Sequence, residues 1–226
     1  MDKNLYIKVA VQFLQFPIVM GALLFLPAGT LDYWEAWFFI AVFFVCTAAI
    51  SIWLIIRNPE LLKRRMKVGP AAEKEPAQKI IVLFALLSFT GIIILSALDH
   101  RFGWSDIPTP VVILGDILIA LSYLFFYFVF KANPYGAATI QVEENQRVIS
   151  TGPYALVRHP MYSGALILMF GIPLALGSWW GLLFLIPGVA VIIWRLLDEE
   201  KFLSKNLAGY SEYKNKVRNR LVPFVW

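Results

Sequence analysis

Hydropathy divides the chain into long apolar runs and short polar breaks. The longest runs cover 9–26, 34–56, 80–98 and 111–130, and within them only Glu35 and Asp116 are charged, each near a run's end. A bilayer core about 30 Å thick is crossed by roughly 20 apolar residues of helix, because each residue advances about 1.5 Å. These segments therefore predict transmembrane helices. Two further runs, 160–176 and 179–194, are parted only by Gly177 and Ser178. That spacing predicts a short helical hairpin that barely crosses or only dips. The expected fold is an all-α integral membrane protein of about five to six spans. Lys3 and Lys8 before the first run, and Pro27, Ala28 and Gly29 after it, imitate a secretion signal. Gln12, Gln15 and Pro17 within the run, and the further spans that follow, favour an uncleaved anchor instead.

Composition agrees with this pattern. Of 226 residues 59% are apolar and 15% charged, with a mean hydropathy of +0.69; a soluble domain carries roughly a quarter charged residues. The net charge of +5 reads as a sidedness signal and not as a nucleic-acid one. Lys3 and Lys8, seven cations in 57–79, three in 131–158 and seven from Arg195 onward fall on one side of the predicted spans, leaving Arg101 alone opposite. By the positive-inside rule both termini and both long loops face the cytoplasm. The basic loop 57–79 reads as a solvated, headgroup-touching topology determinant. One cysteine, Cys46, and two histidines, His100 and His159, leave no disulfide framework and no Cys/His metal centre within the chain.

Unusual polar chemistry concentrates in two patches, 133–164 and 195–213, both at predicted cytoplasmic helix ends. In the first, Gly152-Pro153 signals a turn and Pro160 suits the first position of a helix, which places His159 at its N-cap. The free N–H groups and positive dipole of that helix start would seat an anionic group. His159 would either donate to such a ligand or simply cap the helix. In the second patch Arg195 and Glu199 are spaced i, i+4 and share a helix face, which reads either as a surface ion pair or as part of a site. The acidic run Asp198, Glu199, Glu200 opposes the dipole of a helix end, so a cationic ligand group would offset it. Together the patches suit a zwitterionic small molecule at the membrane surface, with Tyr135, Tyr154 and Tyr162 beside it.

These residues also form a known set. Thr151-Gly152-Pro153-Tyr154, then Arg158-His159-Pro160-x-Tyr162-x-Gly164, then Arg195 with Glu199-Glu200, and a tail carrying Tyr210 and Tyr213 resemble the isoprenylcysteine carboxyl methyltransferase family, in a bacterial-type member. The wider superfamily includes phospholipid N-methyltransferases. The resemblance implies a membrane enzyme that takes S-adenosyl-L-methionine in a cytosol-facing pocket closed by the C-terminal segment, with a lipophilic acceptor entering from the bilayer. It implies that residues 1–130 form the acceptor tunnel and 131–226 the methyltransferase core. Carried over position by position, Gln141, Gln146, Arg147, Val148, Ile149, Tyr154, His159, Pro160, Met161, Tyr162 and Glu199 are cofactor contacts. Glu199 and Arg195 are the catalytic pair, Arg195 beside the acceptor's reactive group.

The implied reaction is O-methylation of an isoprenylcysteine-like carboxylate, which needs alignment and no base. An amine acceptor of the phospholipid type is the alternative, and it would shed a proton to Glu200 or Asp198. The tail departs from many relatives at Leu207-Ala208-Gly209, and the first three spans match nothing family-specific. Partners expected are the lipophilic or lipidated acceptor and membrane lipids, with no metal and no nucleic acid. A sterol-type reductase would need arginines clustered for a nucleotide phosphate. A transporter would need intramembrane charge or paired broken helices, and the nearly charge-free spans argue against it.

Overall fold

The computed structural model describes residues 3–226, with side chains from Leu5 on, so the Lys3 side chain counted above lies outside what is described. Helices alone build it: α1 (Lys3–Ala28), α2 (Trp34–Arg57), α3 (Pro59–Arg65), α4 (Pro76–Phe102), α5 (Thr109–Ala132), α6 (Pro160–Ala175), α7 (Leu185–Asn206) and α8 (Tyr210–Lys216). Five of these, α7 taken with the 3₁₀ turn Trp180–Phe184 that leads into it, are long and apolar enough to cross a membrane. Their outward residues are apolar, as lipid demands: Leu14, Ile18, Leu26 and Ile56 are all exposed.

The hairpin expectation is half corrected. Helix α6 has 16 residues and is short for a crossing, but α7 does not stop at Trp194. It continues through Arg195 and the acidic run to Asn206, so those carboxylates lie inside a helix and not at its C-terminus. Nothing in 195–206 breaks a helix, and the apolar-run boundary marked a change of solvent, not of backbone.

The chain divides into two compact units. One comprises Met1–Trp53, Leu87–Tyr123 and Ile167–Ile186. Its core gathers Leu24, Tyr33, Phe39, Ile92, Ile119 and Ile172. Glycine sets a close approach of α5 and α6 there: a Cβ on Gly115 would overlap the Ala175 backbone nitrogen and stand 2.8 Å from its Cα. Small residues let helix backbones touch in this way where lipid offers no hydrophobic drive. A polar knot ties the chain breaks. Asp99 accepts from the Ser105 amide at 2.7 Å and from the Ser105 and Ser178 hydroxyls at 2.6 and 2.5 Å, while the Tyr33 hydroxyl donates to the Leu176 carbonyl at 2.6 Å.

The other unit comprises Leu54–Leu86, Leu124–Leu166 and Pro187–Trp226. In it Asn58 caps α3, its Oδ1 accepting the Leu61 N–H at 3.0 Å with Pro59 at the first helical position. The 57–79 segment is only partly the solvated loop expected. Arg64 donates to the Pro134 carbonyl at 2.6 Å, Arg65 donates to the Gly136 carbonyl at 3.3 Å and lies 4.5 Å over the Phe130 ring, and Glu73 and Gln78 are buried. Cations with long apolar stems serve packing as readily as topology. Gly209, at φ +82°, adopts the left-handed conformation that turns α7 into α8.

Candidate functional site

All of the candidate site lies in the second unit. Just past the end of α5 stands Asn133, whose side chain both accepts the Tyr135 N–H at 2.9 Å and donates to the Tyr154 hydroxyl at 3.0 Å. A turn about Asn145, at φ +60°, folds 141–146 on itself. The Gln141 amide donates to Glu143 at 2.7 Å and the Gln146 carbonyl oxygen accepts the Glu143 N–H at 2.9 Å. Both glutamines thus shape their own loop. Gly152, at φ +59°, opens the 3₁₀ turn Gly152–Ala155 that presents Tyr154.

A single cavity gathers the residues from the two patches. Gln141, Gln146, Arg147, Val148, Ile149 and Tyr154 line it from the loop, His159, Pro160, Met161 and Tyr162 from the start of α6, and Glu199 from α7. Arg195 is not a wall residue and reaches the cavity through Tyr162. Its Nε donates to the Tyr162 hydroxyl at 3.0 Å, and that hydroxyl donates to Glu199 Oε2 at 2.6 Å. So Arg195 and Glu199 share a helix face, as their spacing predicts, but a tyrosine oxygen bridges them where a surface ion pair was one reading. The Arg195 side chain is only 12% exposed, too buried for a solvated pair.

His159 takes neither of its two sequence readings in full. It precedes α6, and its ring is turned inside the protein, with Nε2 3.3 Å from Glu200 Oε1 and Nδ1 3.9 Å from Glu199. Glu200 is likewise committed. Arg158 Nε donates to it at 2.6 Å and Arg220 Nε at 3.3 Å. Arg158 also donates to the Val217 and Arg218 carbonyls at 2.8 Å, and the backbone N–H groups of Arg158 and His159 reach the Asn219 and Arg220 carbonyls. A buried carboxylate with these partners holds the C-terminal strap and has no capacity left for a substrate proton. Asp198, the other carboxylate of the pair, accepts from the side-chain amide of Gln78.

The strap closes the cavity from the other side. Leu207, Tyr210, Tyr213 and Val217 form an apolar cluster with Val142 and Val148 of the loop, and the Tyr213 hydroxyl donates to the Tyr154 carbonyl at 2.7 Å. Burial pushes the Tyr154 hydroxyl up to about 12, against the opposing bond from Asn133. Burial also raises Tyr213, and burial with the charges of Glu199 and Glu200 raises Tyr210. Tyr210 is one of the wall residues absent from the contacts the resemblance implies. Among the described residues its buried hydroxyl has no hydrogen-bond partner, although buried polar atoms are almost always paired. The Tyr-x-x-Tyr tail was the signal for it. Glu73 and Gln78, which hold Arg195 at 2.8 and 2.9 Å, were missed outright, since a basic loop gives no sign that its one buried glutamate faces inward. Among the described residues no group of three or more His, Cys, Asp and Glu could hold a metal ion.

Residues 110–209 match the family model described as phospholipid methyltransferase. That match supports a membrane methyltransferase of the wider superfamily. The chain is also 26% identical over 137 residues to the Delta(14)-sterol reductase of Mus musculus, which covers 53% of this chain and 33% of that protein. It thus spans about a third of the length of the curated relative it matches.

Proposed function

We propose that the chain is a multi-pass membrane methyltransferase that takes S-adenosyl-L-methionine in the cavity beneath the C-terminal strap and modifies a lipophilic acceptor. The observation that carries this reading is the cavity wall. Among the described residues it combines a carboxylate, Glu199, with no Lys or Arg nitrogen within 4.0 Å, a buried hydroxyl on Tyr210 with no hydrogen-bond partner, and aromatic faces at Tyr154 and Tyr162. A ligand with a cationic centre, hydroxyls and a flat ring system fits that set. When bound, the cofactor supplies an electrophilic methyl group on a sulfonium. Glu199 would hold a positive charge, Tyr210 would bond a polar group, and the strap would exclude water, which strengthens each polar contact. The positive-inside count supports a cytoplasmic side for this cavity.

Two acceptor classes follow from what supports the reading. The motif resemblance favours the carboxylate of an isoprenylcysteine-like lipid, oriented by Arg195, giving a methyl ester. The description of the matching family model favours a phospholipid amine, whose proton Asp198 would take. Purified protein in lipid should bind S-adenosylhomocysteine, and calorimetry showing no binding in several detergents and in lipid would sink the reading. Labelled methyl donor offered with farnesylated thiol acids, phosphatidylethanolamine and total membrane lipid names the acceptor class by its product. Glu199→Gln should weaken cofactor binding and Arg195→Ala should slow turnover with binding kept. Oxidation of a nicotinamide cofactor with a sterol, and no methyl transfer, would favour the reductase relative's chemistry instead.

A further inference from the structure

The resemblance implies an acceptor carboxylate on Arg195, but in the structure Glu73 occupies that guanidinium. Arg195 Nη2 donates to Glu73 Oε1 and to the Ala138 carbonyl, both at 2.8 Å, Nη1 donates to Gln78 at 2.9 Å, and Nε donates to Tyr162 at 3.0 Å. A guanidinium has about five N–H groups, so one remains. Fork-to-fork recognition of a carboxylate needs two parallel N–H groups on one edge, and no edge offers them.

Glu73 is not loosely placed. Its side chain is 2% exposed, and its second oxygen accepts the Ile140 N–H at 3.2 Å. An acceptor carboxylate that displaced it would strand a buried charge and a backbone donor, a costly exchange. The charge count points the same way. Glu73 offsets Arg195, and Glu200 is held by Arg158 and Arg220. Asp198 has no cation within 4.0 Å among the described residues and bonds only the Gln78 amide, while Gln78 spends its carbonyl on Arg195. With Glu199 facing the cofactor cavity, Asp198 is the carboxylate left over.

We propose that Glu73 sets the charge of the acceptor group: held on Arg195, it bars carboxylates and leaves Asp198 to receive an ammonium. This rests on the methyltransferase reading and specifies its acceptor as an amine. The test is equilibrium binding, which needs no turnover. A farnesylated thiol acid and its counterpart with an amine in place of the carboxyl group are titrated into the full chain in lipid nanodiscs. Wild type should bind the amine at least about tenfold more tightly than the acid, and Glu73→Gln should gain about tenfold for the acid by freeing Arg195. Asp198→Asn should lose about tenfold for the amine with the acid unchanged, and it carries the test alone if Glu73→Gln does not fold.

Equal binding of acid and amine by wild type overturns the proposal. So does an amine-to-acid ratio within about twofold of wild type in either variant. S-adenosylhomocysteine binding is read separately in the same samples. Its absence from wild type defeats the methyltransferase reading, while the acid-to-amine ratio still judges Glu73.

Discussion

Replacing Arg158 by methionine should loosen the C-terminal strap without unfolding the helices. The change removes the 2.6 Å bond to Glu200 and both 2.8 Å bonds to the Val217 and Arg218 carbonyls, from a side chain 5% exposed. Breaking a buried ion pair from one side costs about 3–5 kcal/mol. Glu200 keeps Arg220 and the His159 ring at 3.3 Å, so the lower end applies. A loss of about 3 kcal/mol concentrated on 217–221 raises the open population of that segment roughly a hundredfold. Hydrogen exchange followed by mass spectrometry in nanodiscs reads this directly: amides of 217–221 should exchange about a hundred times faster, with α1 and α4 unchanged. S-adenosylhomocysteine affinity should fall in parallel. Strap exchange within about threefold of wild type, in a protein whose spans stay protected, would refute the pinning role.

Three further outcomes follow from the geometry. Tyr210→Phe removes a buried hydroxyl that bonds nothing among the described residues, so the thermal midpoint should hold or rise while S-adenosylhomocysteine affinity falls about tenfold by calorimetry. Gly115→Val puts a side chain into the Ala175 backbone and should cost about 1–3 kcal/mol or more, seen as a lower melting midpoint in detergent. Alkaline stability should decline from pH 10.0 toward about 12, because Tyr154 holds its proton more tightly folded than unfolded. That contribution is complete below the ordinary tyrosine value and lost as pH passes the folded one. Phenolate absorbance beside circular dichroism checks it, and Tyr154→Phe should shrink the slope.

Spans were legible because lipid imposes one rule on every residue of a crossing helix. Apolar runs such as 34–56 and 111–130 therefore show within a residue or two where α2 and α5 lie. The end of α7 was not legible, since past Trp194 the polar sequence is equally that of a loop or of a helix leaving the bilayer. The contacts that the family resemblance implies between 141 and 199 all line one cavity. The partners of Arg195 could not be read from the sequence. Glu73 and Gln78 stand more than a hundred residues away in a segment whose charges announce topology, and only folding shows which of those charges turn inward.

The Tyr162 hydroxyl, accepting from Arg195 and donating to Glu199, is one oxygen shared by two charged side chains of the candidate site. An acceptor ammonium on Asp198 would pull on Gln78, whose carbonyl holds Arg195, and so alter how strongly that oxygen can give its proton to Glu199, and any ligand cation on Glu199 would act back along the same line. Cofactor and acceptor should therefore change each other's affinity by one common factor, whichever binds first. Tyr162→Phe should reduce that factor toward one and make the two binding events independent.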